Sequence, residues 1–175
     1  MSKFKFKLPI DDVLPNLLIA MHKNNHAVLQ APPGAGKTTR VPIALLESGM
    51  YQGKILMLQP RRLAARAAAV RLTEHFRDKL GQTVGYRMRG DNKTSKSTRI
   101  EVVTEGILTR MIQNNPELVG ISCIIFDEFH ERSLNADLGL TLCLEIRSAL
   151  REDLAILVML ATLDTSSVSA LMGNA

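Results

Sequence analysis

The sequence has few aromatic residues, only two cysteines and no long apolar run. Aromatic residues make up 4% of its 175 residues and tryptophan is missing, so platforms for stacking on unpaired bases are scarce. Cys123 and Cys143 lie in an apolar strand pattern and an apolar helix pattern, which favours buried thiols in a reducing compartment over a disulfide or a metal site. No stretch has the length and apolarity of a signal-peptide core or a membrane span. We therefore expect a cytoplasmic protein with no membrane partner.

The composition is that of a globular domain, with 46% apolar and 22% charged residues, and the chain is long enough to bury one substantial core. Apolar strand patterns alternate with helical periodicity, which predicts a mostly parallel α/β sheet covered by helices on both faces. The expected strands are 26–30, 54–59, 83–88, 99–104 and 154–160, with one more ending before Asp127. The expected helices are 36–47, 62–80 closed by Gly81, 105–113 and 134–150, and the polar stretch 90–97 is expected to be a turn.

A glycine-rich turn, Ala31-Pro32-Pro33-Gly34-Ala35-Gly36-Lys37-Thr38, stands between the first strand and the first of these helices. Such a turn aims backbone N–H groups at a phosphate beside the positive end of a helix. In this geometry Lys37 reaches the β- and γ-phosphates and the Thr38 hydroxyl becomes a ligand of Mg²⁺, with Thr39 as a second polar neighbour. The usual motif begins with glycine, whose place Ala31 takes here. The pattern predicts a nucleoside triphosphate site.

The second candidate group is the acidic pair Asp127-Glu128, which follows the apolar run Ile124-Ile125-Phe126. A strand of this composition is buried on both faces and delivers Asp127 to the carboxyl edge of the sheet, where it can hold Mg²⁺. Glu128 can then take a proton from an attacking water, which favours hydrolysis over phosphate transfer to a metabolite. The alternative is a solvated strand end without a function. The phosphate-binding turn upstream makes that alternative less favourable.

Positive charge is concentrated in two parts of the chain, which has a formal net charge of +5. Arg61 and Arg62 follow Pro60 at the end of a strand, where α/β sheets place their ligands, and are candidates for contacts to a phosphate backbone. For Arg66 and Arg71 a solvated helix face explains the spacing equally well. With so few aromatics we expect contacts to a nucleic acid backbone rather than reading of bases. A second basic group contains Arg87, Arg89, Lys93, Lys96 and Arg99.

Taken in order, these segments resemble the first RecA-like domain of superfamily 2 helicases of the DEAH/RHA group, and within it the bacterial HrpB type. The resemblance covers nearly the whole chain, and five ordered matches are far more specific than any single one. Phe129 stands where the family's DEAH box has alanine. The matching segments are Ala31–Thr39 (motif I), Leu58–Ala65 (motif Ia), Val84–Asp91 (between Ia and Ib), Thr104–Leu108 (motif Ib) and Asp127–Arg132 (the DEAH box).

The resemblance implies a P-loop motor that uses ATP, or another NTP, with Mg²⁺ to move along or separate nucleic acid strands. RNA is the favoured polymer and DNA the alternative. By position, Lys37, Asp127, Glu128 and His130 would be catalytic, and His130 would connect the site to motif III. An alternative for His130 is a structural histidine that only orients its neighbours. The implied nucleic acid contacts come from Pro60, Arg61, Arg62, Thr104, Glu105 and Gly106.

Two departures from the family affect these expectations. Motif III, commonly Ser-Ala-Thr, reads Leu160-Ala161-Thr162, and leucine lacks the hydroxyl that would relay loss of the γ-phosphate, although Thr162 retains one. The substitution is alternatively a benign change in packing. The second RecA-like domain is not in this sequence, so we expect weak nucleotide binding, very slow hydrolysis, no unwinding, and a monomer or weak self-association. Two other classes stay open: a P-loop ATPase or phosphotransferase without nucleic acid, and a nucleotide- or RNA-binding module without turnover.

Overall fold

The computed structural model describes residues 6–161 and 165–173, and in them the chain forms an α/β fold around one seven-stranded sheet. The strands are β1 (His26–Gln30), β2 (Lys54–Gln59), β3 (Val84–Met88), β4 (Asp91–Lys93), β5 (Ile100–Thr104), β6 (Ile121–Phe126) and β7 (Ala155–Leu160). The helices are α1 (Leu14–Asn24), α2 (Lys37–Glu47), α3 (Arg62–Phe76), α4 (Glu105–Asn114), α5 (Leu134–Ala149) and α6 (Thr165–Leu171), and 3₁₀ turns lie at Pro9–Asp12 and Phe129–Glu131.

The strand order is β1-β7-β6-β2-β5-β3-β4, and every neighbouring pair is parallel except β3 with β4. One apolar core, with residues of α1, α2 and α3, covers one face of the sheet, and a second core, with residues of α4, α5 and α6, covers the other. Strands buried on both faces have to be apolar throughout, and β7 is buried at all six positions. The predicted fold class is therefore confirmed.

The register of the sheet aligns the carboxyl ends of five strands. Gln30 pairs with Leu160, Leu58 with Phe126, and Gln59 with Thr104. The residues that follow these strands consequently meet at one edge of the sheet, where open α/β folds place their ligands.

Two predicted boundaries were wrong. Helix α3 ends at Phe76 rather than at residue 80, because Arg77 adopts a left-handed conformation (φ 54°) as its C-cap. The polar stretch 90–97 is not only a turn, since residues 91–93 form β4 on the free edge of β3. Gly85 permits this pairing, because a Cβ atom there would collide with the backbone carbonyl of Lys93.

Among the described residues, no helix is both long enough and apolar enough to span a membrane. Cys123 and Cys143 are free and fully buried, as predicted, and burial raises the pKa of both thiols, that of Cys143 to about 12.

Candidate nucleotide site and nucleic acid face

The glycine-rich turn connects β1 to α2 and takes its shape from two glycines. Gly34 (φ 77°) and Gly36 (φ 99°) both have left-handed backbones, and Gly36 is the N-cap of α2. A Cβ atom on Gly36 would lie 2.6 Å from Leu8 Cδ1, whereas a Cβ atom on Gly34 would have no neighbour within 4 Å. Gly36 is therefore favoured first by its left-handed backbone and then by its close packing against Leu8 and Ile10, and Gly34 leaves space open where a phosphate would approach.

Backbone hydrogen bonds anchor the turn on both sides. The Ala31 N–H donates to the carbonyl of Leu160 at 3.1 Å, and the carbonyl of Ala35 accepts from the Ile10 N–H at 3.1 Å. Pro32, Pro33 and Gly34 are exposed between these anchors. The turn is thus fixed at its ends and open to solvent at its tip.

Lys37 is buried at the first position of α2, with only 4% of its surface exposed. Its Nζ donates to the carbonyl oxygens of Ala31 at 2.5 Å and Pro32 at 3.2 Å. The ammonium group therefore lies inside the turn, where it satisfies its charge with the turn's own carbonyls. A phosphate bound there would meet a cation already in place.

Asp127 joins the two sequence motifs. Its Oδ2 accepts hydrogen bonds from Thr38 Oγ1 at 2.6 Å and from Gln59 Nε2 at 2.5 Å, and its Oδ1 accepts from the Glu128 N–H at 2.9 Å. Burial of this carboxyl, which is 4% exposed, raises its pKa, and the charge of Glu128 adds to the increase despite the opposing effect of the Thr38, Gln59 and backbone hydrogen bonds. A nearby cation would reverse this increase.

The segment after Asp127 turns sharply and orients the second acid. Glu128 has a left-handed backbone (φ 52°), an uncommon conformation for a residue with a side chain, and it precedes the 3₁₀ turn Phe129–Glu131. Its Oε2 lies 3.1 Å from Nε2 of His130, whose Nδ1 accepts from the Ala161 N–H at 3.2 Å. Because Nδ1 accepts, the ring proton of a neutral His130 is on Nε2 and points at Glu128. His130 thus contacts both the acidic pair and motif III.

Two substitutions relative to the family's motifs are accommodated in the core. Phe129 is 3% exposed and makes an edge-to-face contact with Phe126, with ring centroids 6.0 Å apart. Leu160 is also 3% exposed and packs in the core beside α4, α5 and α6. These positions favour the packing interpretation of Leu160. Thr162, which could supply the motif's remaining hydroxyl, lies outside the described residues.

Two neighbouring cavities open on this edge and share Thr38, Arg71 and Glu128. The first, of about 270 Å³, is lined by Leu8, Gly34, Gly36, Lys37, Thr38, Thr39, Arg71 and Glu128. The second, of about 360 Å³, is lined by Thr38, Gln59, Pro60, Arg61, Ala64, Ala67, Ala68, Arg71, Glu128 and Glu131. Glu128 and the glycine-rich turn therefore border adjoining cavities.

Sequence reasoning missed Gln59 and left Arg71 undecided. Gln59 is the polar last residue of an apolar strand, and that position was its only signal. Arg71 lies at a helical spacing that is equally typical of a solvated face, and only the structure shows that it lines the cavity beside Lys37 and Glu128.

The residues present are suitable for Mg²⁺. The Thr38 hydroxyl and the Asp127 carboxylate are oxygen donors that already touch, and Mg²⁺ prefers oxygen ligands while retaining waters and substrate phosphates. Within residues 6–161 and 165–173 no group of three or more His, Cys, Asp or Glu side chains could hold a metal ion. That arrangement is typical of a cation held by one or two side chains together with phosphate oxygens.

The predicted nucleic acid residues come together because β2 and β5 are neighbours. Gln59 pairs with Thr104, so Pro60, Arg61 and Arg62 leave the sheet beside the residues that begin α4. Arg61, Arg62 and Gly106 are exposed, while Pro60, Thr104 and Glu105 are half-buried. Two side chains of this group are engaged: Glu105 Oε2 accepts from Ser133 Oγ at 2.5 Å, and Arg61 Nη2 lies 2.7 Å from Oε1 of Glu131.

Part of the second basic group stabilises the fold rather than forming a free basic surface. Arg87 Nε lies 2.8 Å from Oε1 of Glu101, a fully buried carboxylate that also contacts Lys54. Arg99 Nη2 donates to the Tyr51 carbonyl at 2.8 Å. These arginines compensate a buried charge and a buried carbonyl, so the basic patch is smaller than its residue count indicates.

With this geometry established, comparison with known proteins identifies the family. The model of the DEAD/DEAH box helicase family matches residues 11–171. The chain belongs to the DEAD/DEAH box helicase family. The sequence-based resemblance is thereby confirmed, and so is the RecA-like character of the fold.

Several family members are similar over nearly the whole chain. The ATP-dependent RNA helicase HrpB of Escherichia coli (strain K12) is 52% identical over 168 residues, which are 96% of this chain and 21% of that protein. The probable ATP-dependent RNA helicase DHX40 of Homo sapiens is 38% identical over 95% of this chain and 22% of that protein. The crystal structure of the E. coli DExH-box NTPase HrpB superposes with a TM-score of 0.93 at 50% identity, covering 98% of this chain and 21% of that one. The chain thus spans about a fifth of the length of these relatives.

Proposed function

We propose that this DEAD/DEAH box domain binds and hydrolyses ATP, or another NTP, with Mg²⁺, as the motor of an ATP-dependent helicase that acts on RNA. The observation that carries the proposal is the 2.6 Å contact between Thr38 and Asp127, which unites a phosphate-binding turn with an acidic strand end. Glu128 borders the same cavity. A cation ligand, a phosphate cradle and a proton acceptor in one place are what hydrolysis of a phosphoanhydride requires.

The residues divide the work by position. The backbone of Ala31–Gly36 and the side chain of Thr39 would surround the phosphates. The ammonium group of Lys37 would exchange its hydrogen bonds to the carbonyls of Ala31 and Pro32 for contacts to the β- and γ-phosphates. Thr38 and Asp127 would hold Mg²⁺, which when bound neutralises charge on the phosphates. Glu128 would accept the proton of the attacking water. His130 would fix the orientation of Glu128 through the contact at 3.1 Å.

The nucleic acid would lie across the ends of β2 and β5. Arg61 and Arg62 offer exposed cations for phosphates, Thr104 a hydroxyl, and exposed Gly106 a close backbone approach. Glu105 would act indirectly, because its carboxylate is engaged by Ser133 at the N-cap of α5. The relatives named as RNA helicases favour RNA over DNA. A cytoplasmic location stays a prediction.

Unwinding would need the remainder of a longer protein, because family members of about five times this length contain the matching segment. We propose that a second RecA-like domain closes the nucleotide cleft and supplies arginines to the transferred phosphoryl group. Loss of such an arginine costs on the order of 10³-fold or more in turnover. The chain by itself should therefore bind ATP with a Kd in the millimolar range and hydrolyse it barely.

The proposal is tested by binding of this chain to single-stranded RNA over a series of salt concentrations, with Arg62→Ala as the probe variant. Contacts to a phosphate backbone release counterions, so the affinity should fall steeply with salt and the variant should lower the slope by about one. A P-loop phosphotransferase for a small metabolite would have no dedicated RNA face, so any weak binding at low salt would not depend on Arg62. Binding unaffected by Arg62→Ala would place the RNA elsewhere and contradict the proposed face.

A further inference from the structure

The ion pair between Arg61 and Glu131 links two parts of the site that the proposed function treats separately. Arg61 is the N-cap residue of α3 and belongs to the proposed nucleic acid face. Glu131 ends the 3₁₀ turn that follows Glu128. Arg61 Nη2 and Glu131 Oε1 are 2.7 Å apart, although the two residues are 70 positions apart in the sequence. Both side chains line the cavity of about 360 Å³ that also contains Thr38 and Glu128.

Arg61 is placed so that it can exchange Glu131 for another anion. The Arg61 side chain is 72% exposed and that of Glu131 is 33% exposed, and exposed ion pairs of this kind add little net stability. Arg61 makes no other ion pair or side-chain hydrogen bond in the part of the chain that the structure describes. A phosphate group offers the same arginine a bidentate partner of higher charge.

The neighbouring Arg62 provides a contrast within the same segment. Arg62 is exposed at the first position of α3. It has no ion pair or side-chain hydrogen bond among the described residues. Of two adjacent arginines at one strand end, one is therefore free to meet a phosphate and the other is already held by an acid.

Glu131 is also tied to the catalytic turn. Its N–H donates to the carbonyl of Glu128 at 2.9 Å, so its backbone is fixed while its carboxylate reaches across to Arg61. A change of partner at Arg61 consequently alters the charge balance at the end of the turn that begins with the proposed proton acceptor.

We propose that Glu131 is the resident anion of Arg61, which a nucleic acid phosphate displaces when the polymer binds. Glu131 is then a positioning residue that holds Arg61 over the cavity in the free protein and opposes nucleic acid binding by competition. This inference rests on the proposed nucleic acid face. It predicts that removal of an acid strengthens binding through one named arginine, rather than through a general decrease in negative charge.

A double-mutant cycle tests the inference on the 175-residue chain, with fluorescence anisotropy of a labelled oligouridine at low salt. Glu131→Gln preserves the size of the side chain and should tighten binding by about two- to fivefold, the range expected for loss of an exposed ion pair. Arg61→Ala should weaken binding and lower the salt slope by about one. In the Arg61→Ala background, Glu131→Gln should have no effect, because the competition no longer exists.

Each contrary result has a separate meaning. Equal tightening by Glu131→Gln in both backgrounds would indicate general repulsion and overturn the inference. Unchanged or weaker binding by the single variant Glu131→Gln would overturn it as well. If Arg62→Ala weakens binding while Arg61→Ala and Glu131→Gln do not change it, the nucleic acid face stands and only this inference falls. If the parent chain does not bind oligouridine at any salt concentration, the proposed face falls and this inference with it.

Discussion

Gln59→Leu should destabilise the domain in a manner that depends on the charge of Asp127. Gln59 is 3% exposed, and its Nε2 donates to Asp127 Oδ2 at 2.5 Å. A hydrogen bond to a charged group contributes about 1.5–3 kcal/mol, and an apolar leucine of similar size offsets part of that loss. We expect the free energy of unfolding to fall by about 1–2 kcal/mol at neutral pH.

The loss should diminish in acid. The amide donor of Gln59 lowers the pKa of Asp127, although burial raises that pKa overall, so the variant carboxyl should have a still higher pKa. The donor stabilises the charged carboxylate, and its contribution is present above the pKa of Asp127 and fades as the pH falls through it. Urea denaturation at a series of pH values measures both the loss and its pH dependence.

Gln30→Leu is the matched control. Gln30 is likewise the last residue of its strand, but it is exposed, so the same substitution should change the free energy of unfolding by no more than about 0.5 kcal/mol. Equal losses at the two positions, or a loss at Gln59 that is constant from acid to neutral pH, would refute the reasoning.

Three further predictions concern the turn, a loop and the buried acid. Gly36→Ala should lower the free energy of unfolding, measured by thermal unfolding, by about 2–4 kcal/mol, because φ is 99° and the added Cβ meets a leucine. Gly34→Ala should lower it by only about 1–2 kcal/mol but weaken ATP binding. A larger loss of stability for Gly34→Ala than for Gly36→Ala would contradict these roles of the two glycines. Arg151→Met removes a side chain that donates to two carbonyl oxygens of the loop before β6 and to that of Ile121, the first residue of β6. It should cost about 2 kcal/mol in urea denaturation, against less than about 1 kcal/mol for Asp153→Asn, which affects only a surface ion pair. Similar losses for the two variants would show that these carbonyl contacts do not stabilise the loop. Because burial raises the pKa of Asp127, ionisation of this carboxyl opposes folding. The stability of the parent relative to Asp127→Asn should therefore decrease as the pH rises from the ordinary pKa of an aspartate to the raised pKa of Asp127, and stay constant above it. Urea denaturation at a series of pH values measures this difference, and an increase with pH over that window would refute the prediction.

The fold was largely predictable because its strands are buried on both faces. β7 is a continuous apolar run and β2, β5 and β6 are mostly apolar, and a parallel sheet covered by helices on both faces buries such runs. β4 was not predictable, since residues 91–93 are polar and pair only because an edge is available beside Gly85. The end of α3 escaped prediction for a local reason: Arg77 takes the left-handed cap that glycine usually supplies.

The candidate site was predictable where backbone conformation or charge leaves a pattern in the sequence. The glycines of the turn and the acidic pair after an apolar strand are such patterns. Gln59 depends instead on β2 lying next to β6, and Arg71 on the rotation of α3 about its axis. The pairing of Arg61 with Glu131 depends both on the order of the strands and on the orientation of α3. None of these relations has a local signature, so a single sequence cannot supply them.

The central claim is most directly tested by steady-state ATP hydrolysis of a chimera in which this chain replaces the matching segment of E. coli HrpB. The rate is measured with and without single-stranded RNA, and Lys37→Ala in the same chimera is the control. We predict RNA-stimulated hydrolysis that the control abolishes and that exceeds the rate of the isolated chain by on the order of 10³-fold. Hydrolysis that is indifferent to RNA would contradict the nucleic-acid-dependent motor, and hydrolysis that survives Lys37→Ala would contradict the nucleotide site itself.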